Sequence, residues 1–243
     1  MGATSLAFKV YLILGFELVV LYGCAFFIIQ QCKKAFYANK TFLGIALAEA
    51  VNPNRQTDIC IVKNEATTLL FFWLILFSII SIWTATAFII FSSSWIQFFF
   101  MTFSAIGYGS LIGFIIMDMD ENDGMVGLKA ATLSTAAMFI IVSVSGINFV
   151  NIIFVSTIIF LILGLIIWEL IALVKGISRG ATKAKAVLGI VTFSLSLLAS
   201  ITRVNVSSEE GLNDWNTAID LAFSMFIDII NLILYYLELM DGY

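Results

Sequence analysis

Asp228 and Asn231 lie three residues apart in the middle of an apolar run near the C-terminus. On a helix that spacing puts both on one face. An ionisable side chain at the centre of a membrane helix costs about 2.5–3.5 kcal/mol on insertion scales, so such residues face the bundle interior and often mark ion or proton paths. Glu17, Glu169 and Asp220 also fall in apolar runs and belong to the same candidate set. No lysine or arginine lies deep in any run to neutralise Asp228, and an acid held away from water without a cation is favoured in its protonated form. Two uses of Asp228 are compatible with this: a titrating group on an ion path, or a protonated acid that hydrogen-bonds a neighbouring helix. Glu169 has a third option, a carboxylate near the membrane surface beside Lys175.

Ser194, Ser196 and Ser200 lie in the preceding run. Folding the last two runs as a hairpin about residues 209–211 sets Asp228 opposite roughly Phe193 to Ser196. Those serines then bond either the carboxyl group or their own backbone. The segment Asp118-Met-Asp-Glu-Asn-Asp-Gly has the look of a calcium loop but not its spacing. Asp123 takes the place of the required glycine and Lys129 that of the bidentate glutamate. It reads as a solvated acidic turn. The chain has no histidine, which excludes a histidine metal site or a Ser-His-Asp triad, and its three cysteines are scattered. No phosphate loop or nucleophile–base pair is present, and no basic run is long enough for nucleic acid. The expectation is a non-enzyme without cofactor or metal centre.

The elements that must position these residues are membrane helices. Hydrophobic residues make up 61% of the 243, charged residues 12%, and mean hydropathy is +1.07, against about 45–50% apolar and about 25% charged in soluble domains. Lipid has to be the solvent for much of such a surface. Seven apolar runs approach the length needed to span a bilayer: about 10–29, 68–91, 96–117, 129–147, 149–174, 186–203 and 215–239. The single proline, Pro53, lies outside all of them. Short polar connections predict one all-α polytopic bundle over residues 1–243. The exception is 30–67, whose first half suits either a short surface helix or a plain loop. Ten of the twelve basic residues fall on one side of a seven-span topology, leaving only Lys9 and Arg203 on the other. The positive-inside rule then sets the N-terminus outside and the C-terminus cytosolic or matrix-side. The bacterial inner membrane, the endoplasmic reticulum or Golgi, and the mitochondrial inner membrane all fit.

The closing run, Phe226-Ile-Asp228-Ile-Ile-Asn231-Leu-Ile-Leu-Tyr235-Tyr-Leu237, resembles the last helix of the transmembrane BAX inhibitor motif family, with its Leu-Asp-Phe-Ile-Asn-Leu-Phe-Leu-Tyr-Leu-Leu pattern. The opening Phe8-Lys9-Val10-Tyr11-Leu12 is similar to that family's Lys-Val-Tyr-Leu-Leu-Leu. Residues 99–115 and 129–145 are similar in texture to its third and fourth helices. The resemblance implies a seven-helix bundle with the seventh helix central, calcium leak activity, and proton gating through two aspartates on the last two helices. Asp228 matches one of them. Ser200, in Ala199-Ser200-Ile201-Thr202-Arg203, stands where the family carries the other. Two functions follow: a passive calcium or cation leak with Asp228 as its carboxylate, or a non-transporting accessory or scaffold subunit of a larger membrane complex. The partners expected are the bilayer, calcium or protons, and other membrane subunits. The charge bias makes a first prediction: a membrane-impermeant thiol reagent applied from outside leaves Cys32 and Cys60 unmodified. Ready labelling from that side overturns the orientation.

Overall fold

The computed structural model describes residues 5–51, 57–61, 93–119, 121–145, 149–175 and 179–240. They form helices α1 (Leu6–Tyr37), α2 (Ser94–Met119), α3 (Glu121–Ser145), α4 (Ile152–Lys175), α5 (Arg179–Glu209) and α6 (Trp215–Met240), with a two-stranded hairpin, β1 (Leu47–Val51) and β2 (Thr57–Ile61). Among the described residues five helices are long and apolar enough to cross a membrane, and α4 adds the apolar stretch Ile152–Trp168. The expected run 68–91 lies outside the described residues. The fold is thus helical and apolar, as an integral membrane protein requires. α4 supports this from its surface, where Ile152, Ile153, Phe160, Leu163, Ile167 and Leu170 are all exposed. So many uncovered aliphatic side chains on one helix suit acyl chains, not water.

The helices outrun the apolar stretches that announce them. α1 continues past residue 29 through Lys33 and Lys34, and α5 begins at Arg179, well before residue 186. The described residues of the expected polar connections 118–128, 175–185 and 204–214 are therefore largely helical. Hydropathy finds the part of a helix that lipid surrounds. The backbone keeps its own hydrogen bonds as it passes into water.

The chain divides into two compact units, Met1–Leu14 with Gly127–Met240 and Gly15–Val126 with Asp241–Tyr243. In the first, α5 and α6 form a helical hairpin. α5 stops in a Schellman turn: Leu212 N–H donates to Ser207 O and Gly211 N–H to Ser208 O, with Gly211 at φ +80°. Only glycine takes that left-handed position without strain. Asp214 then caps α6 by accepting from Thr217 N–H at 2.8 Å. A stop and a start this close fix the hairpin's register. Tyr235 lies over Gly189, where any Cβ would stand 2.5 Å from its ring, and stacks on Phe193 at 5.7 Å between centroids. At the far end Lys185 pairs with Glu238 at 2.6 Å. Buried Lys9 of α1 donates to Asn213 O at 2.6 Å and lies 5.1 Å from the centre of the Trp215 ring, tying α1 to the turn.

In the second unit α1 and α2 run side by side in the same direction. Gly109 and Gly113 of α2 lie against the α1 backbone. A Cβ on Gly109 would come within 2.2 Å of Leu21 O, and one on Gly113 within 2.7 Å of Ala25 O. This is the small-residue close approach of membrane helices. Beyond α1 the structure corrects the expectation for 30–67. Lys40 N–H donates to Ala35 O, and Asn39, at φ 52°, turns the chain out of α1. No surface helix follows. Residues 42–45 make a tight turn in which Phe42 and Ile45 exchange both backbone hydrogen bonds. β1 and β2 then pair antiparallel, Leu47 opposite Ile61 and Val51 opposite Thr57. Ile45, Ile59 and Ile61 are buried and Phe42 stacks on Phe114, so the hairpin forms around an apolar anchor on α2.

Cys32 is fully buried and so is silent to thiol reagents from either side. A cysteine placed at exposed Lys40 carries the orientation measurement instead. For the α1–α2 contact, Gly109→Ala should lower stability in detergent by about 1–3 kcal/mol through overpacking. Gly15→Ala, in the same α1 but with nothing within 4 Å, should not. Equal thermal unfolding of both variants would refute the close approach.

Candidate functional site

Asp228 is the one candidate acid that the α5–α6 hairpin encloses. It is 5% exposed near the middle of α6. Ser200 Oγ of α5 donates to Asp228 Oδ2 at 2.8 Å, and Ser200 Oγ also lies 3.2 Å from Ser224 Oγ. The Ser196 hydroxyl also bonds the carboxyl group, and the positive charge of Arg203 acts on it. Serines on α5 one turn apart therefore present hydroxyls to one carboxyl group, and Ser224, one turn before Asp228 on α6, extends the chain of hydroxyls. A carboxyl group so placed can accept from serine when ionised and donate when protonated.

Ser196, at the edge of the expected stretch 193–196, and Ser200, one turn beyond it, both reach Asp228, because α5 runs on to Glu209 and the turn occupies residues 210–214, centred two residues later than 209–211. Ser196 and Ser200 come together with Asp228. Among the described residues Ser194 makes no hydrogen bond to Asp228.

The other candidates are distributed differently. Asn231 is half-buried and donates from Nδ2 to Ile227 O of its own helix at 2.8 Å, so it does not bridge to another helix. Asp220 is exposed in the second turn of α6, eight residues and about 80° around the helix from Asp228, which corrects its expected inward position. Glu17 is fully buried in α1, and Thr102 Oγ1 of α2 lies 2.7 Å from its Oε1. Glu169 falls in α4, and its side chain lies outside the described residues. No group of three or more potential metal ligands occurs among the described residues.

Sequence reasoning missed three participants. Ser224 had a signal, its i−4 spacing from Asp228. Thr102 had none, being one hydroxyl in an apolar helix. Lys9 read as a solvent-side charge, yet it anchors the turn that sets the register. Tyr236 of α6 also bonds Ser134 of α3 through its hydroxyl. No protein-family model matches the chain, and comparison with curated proteins gives no match.

The turn itself titrates. Asp214 accepts from the backbone N–H and the hydroxyl of Thr217, at 2.8 and 2.7 Å, and these bonds hold its carboxyl below the usual aspartate range. A lowered folded value means its stabilisation is complete above the unfolded value of about 3.9 and is lost as pH falls through the folded value. Asp214→Ala should cost about 1 kcal/mol at neutral pH, with Asp214→Asn retaining most of the cap. The stability gap between wild type and Asp214→Asn should close on acidification. A gap independent of pH would exclude the charged cap.

Proposed function

We propose that the chain is an integral membrane protein of the transmembrane BAX inhibitor motif type, a passive calcium or cation leak whose conduction responds to the protonation of Asp228. The observation that carries this reading is the buried Asp228 bonded across a helix seam by Ser200, the position where the resemblance calls for a second acid. With one carboxyl group the switch is simpler than a shared-proton pair. Ionised, Asp228 offers a passing cation its negative charge and holds Ser200 as a donor. Protonated, it keeps a hydrogen bond to the serines and loses the attraction for the cation. Arg203, toward the α5–α6 turn, biases the site against cations from that side.

The seven-span topology has support from the second unit. α1 and α2 run in the same direction, which a membrane chain achieves with an odd number of crossings between them. The sequence offers one run of spanning length there, 68–91, and that run contains no charged residue. The charge bias sets the α5–α6 turn outside and the C-terminus inside.

A second reading rests on the same hydrogen bonds. Ser200, Ser196 and Ser224 satisfy Asp228 well enough for the group to serve as a structural clasp between α5 and α6. The chain would then be a non-transporting accessory subunit of a membrane complex.

Calcium efflux from liposomes separates the two. At about pH 6 and about pH 8, a leak through Asp228 should show wild-type flux that differs between the two values and Asp228→Asn flux that does not. Ser200→Asp should steepen the pH response, since two adjacent carboxyl groups share a proton. Background flux for every protein at both values rejects the leak and leaves the accessory role.

A further inference from the structure

Glu17 lies in the α1–α2 contact, in the unit that does not contain Asp228. It is fully buried, and Phe16 beside it packs against Phe98 of α2 at 5.6 Å between ring centroids. Thr102 Oγ1 stands 2.7 Å from Glu17 Oε1 and 3.0 Å from Phe98 O, one turn back on its own helix. The second carboxyl oxygen, Oε2, is buried with no hydrogen-bond partner among the described residues.

The count of hydrogens decides how this group is held. A threonine hydroxyl has one proton and here has two acceptors within reach. If Glu17 is a carboxylate, Thr102 serves either Oε1 or Phe98 O, and Oε2 is a buried anionic oxygen with nothing to bond. If Glu17 carries a proton on Oε1, that proton goes to Thr102 Oγ1 and the threonine proton goes to Phe98 O. Both contacts are then made at once, and Oε2 is left as a neutral carbonyl oxygen, far less costly to bury unpaired.

Among the described residues no opposing charge acts on the carboxyl group. Thr102 is the only side chain found to act on Glu17 among the described residues. On α1 the nearest basic residue, Lys9, is engaged with Asn213 and Trp215. On α2 no charged residue occurs between Ser94 and Asp118, and the run 68–91 has none in its sequence. The other titratable side chains along this stretch are Tyr22 and Cys24 of α1 and Tyr108 of α2, and Cys24 lies two turns beyond Glu17, against Gly109.

We propose that Glu17 is an intramembrane proton-binding site, in which the carboxylic acid donates through Thr102 to the Phe98 carbonyl and so joins α1 to α2. Releasing the proton to water breaks that chain of two hydrogen bonds and leaves an uncompensated anion one turn from the Gly109 contact at Leu21 and two turns from the Gly113 contact at Ala25, so proton release loosens the α1–α2 seam. The site does not depend on the leak reading.

The test is infrared spectroscopy of the full chain in liposomes, in an Asp228→Asn background that removes the buried acid of the α5–α6 hairpin, with Glu17→Gln identifying the band that belongs to Glu17. A protonated-carboxyl C=O band should be present at neutral pH, be lost in Glu17→Gln, move to the position of an unbonded acid in Thr102→Val, and be restored by Thr102→Ser. Carbodiimide labelling with peptide mapping should modify Glu17 in the same background and fall to background in Glu17→Gln. Should Glu17→Gln fail to fold, the Thr102→Val and Thr102→Ser pair still decides. Absence of the band at neutral pH, or a band indifferent to Thr102→Val, overturns the proposal, whatever the calcium flux shows.

Discussion

Inside a bilayer no water is at hand to satisfy a polar atom, so each buried donor and acceptor must find its partner on the chain. This chain meets most of that demand at its buried acids with side-chain hydroxyls, leaving Glu17 Oε2 without a partner among the described residues. Ser200 serves Asp228 between α5 and α6, and Thr102 serves Glu17 between α1 and α2. The geometry of both seams follows from where these pairs must meet. In the α5–α6 hairpin the Schellman turn at Gly211 and the cap at Asp214 bring Ser200 level with Asp228, and Gly189 makes room for Tyr235 below. In the α1–α2 pair two glycines bring the backbones close enough for a short threonine side chain to reach a glutamate.

What the sequence disclosed depended on the scale of the signal. Each described helix was announced by an apolar run of spanning length, because lipid imposes a requirement averaged over some twenty residues. Helix ends were not announced, since Lys33, Arg179 and Arg203 continue a helix as readily as they end a hydropathy window. The β1–β2 hairpin was hidden by composition. Leu47-Ala-Glu-Ala favours a helix, and the pairing comes from anchoring Ile59 and Ile61 in a buried position. The alternation Asp58-Ile59-Cys60-Ile61 after Asn52-Pro53-Asn54 was the available clue.

The candidate site was legible in part. Asp228 stood out because an acid in mid-run is costly, and its burial follows from that cost. Of its partners Ser196 fell within the expected stretch and Ser200 one turn beyond it, because the turn is centred two residues later than 209–211. Asn231 was grouped with Asp228 by its spacing, and Asp220 because it is an acid in the same apolar run. Neither criterion registers depth along the helix: Asp220 lies close to the α5–α6 turn, and Asn231 is satisfied by its own backbone. Lys9 illustrates the reverse case, a charge whose type predicted exposure and whose reach across to Asn213 made it a core contact.

The short link between α5 and α6 also bears on how the protein is made. Only residues 210–214 separate the two helices, so they leave the ribosome nearly together and can enter the bilayer as one hairpin. α6 entering alone would bring Asp228 into hydrocarbon at a cost of about 2.5–3.5 kcal/mol. Entering beside α5, the aspartate arrives already bonded to Ser200, and the tether of Lys9 to Asn213 gives the returning hairpin a fixed point on α1, which is synthesised earlier. The turn that sets the register of the site is thus also the feature that lets its acid reach the membrane interior.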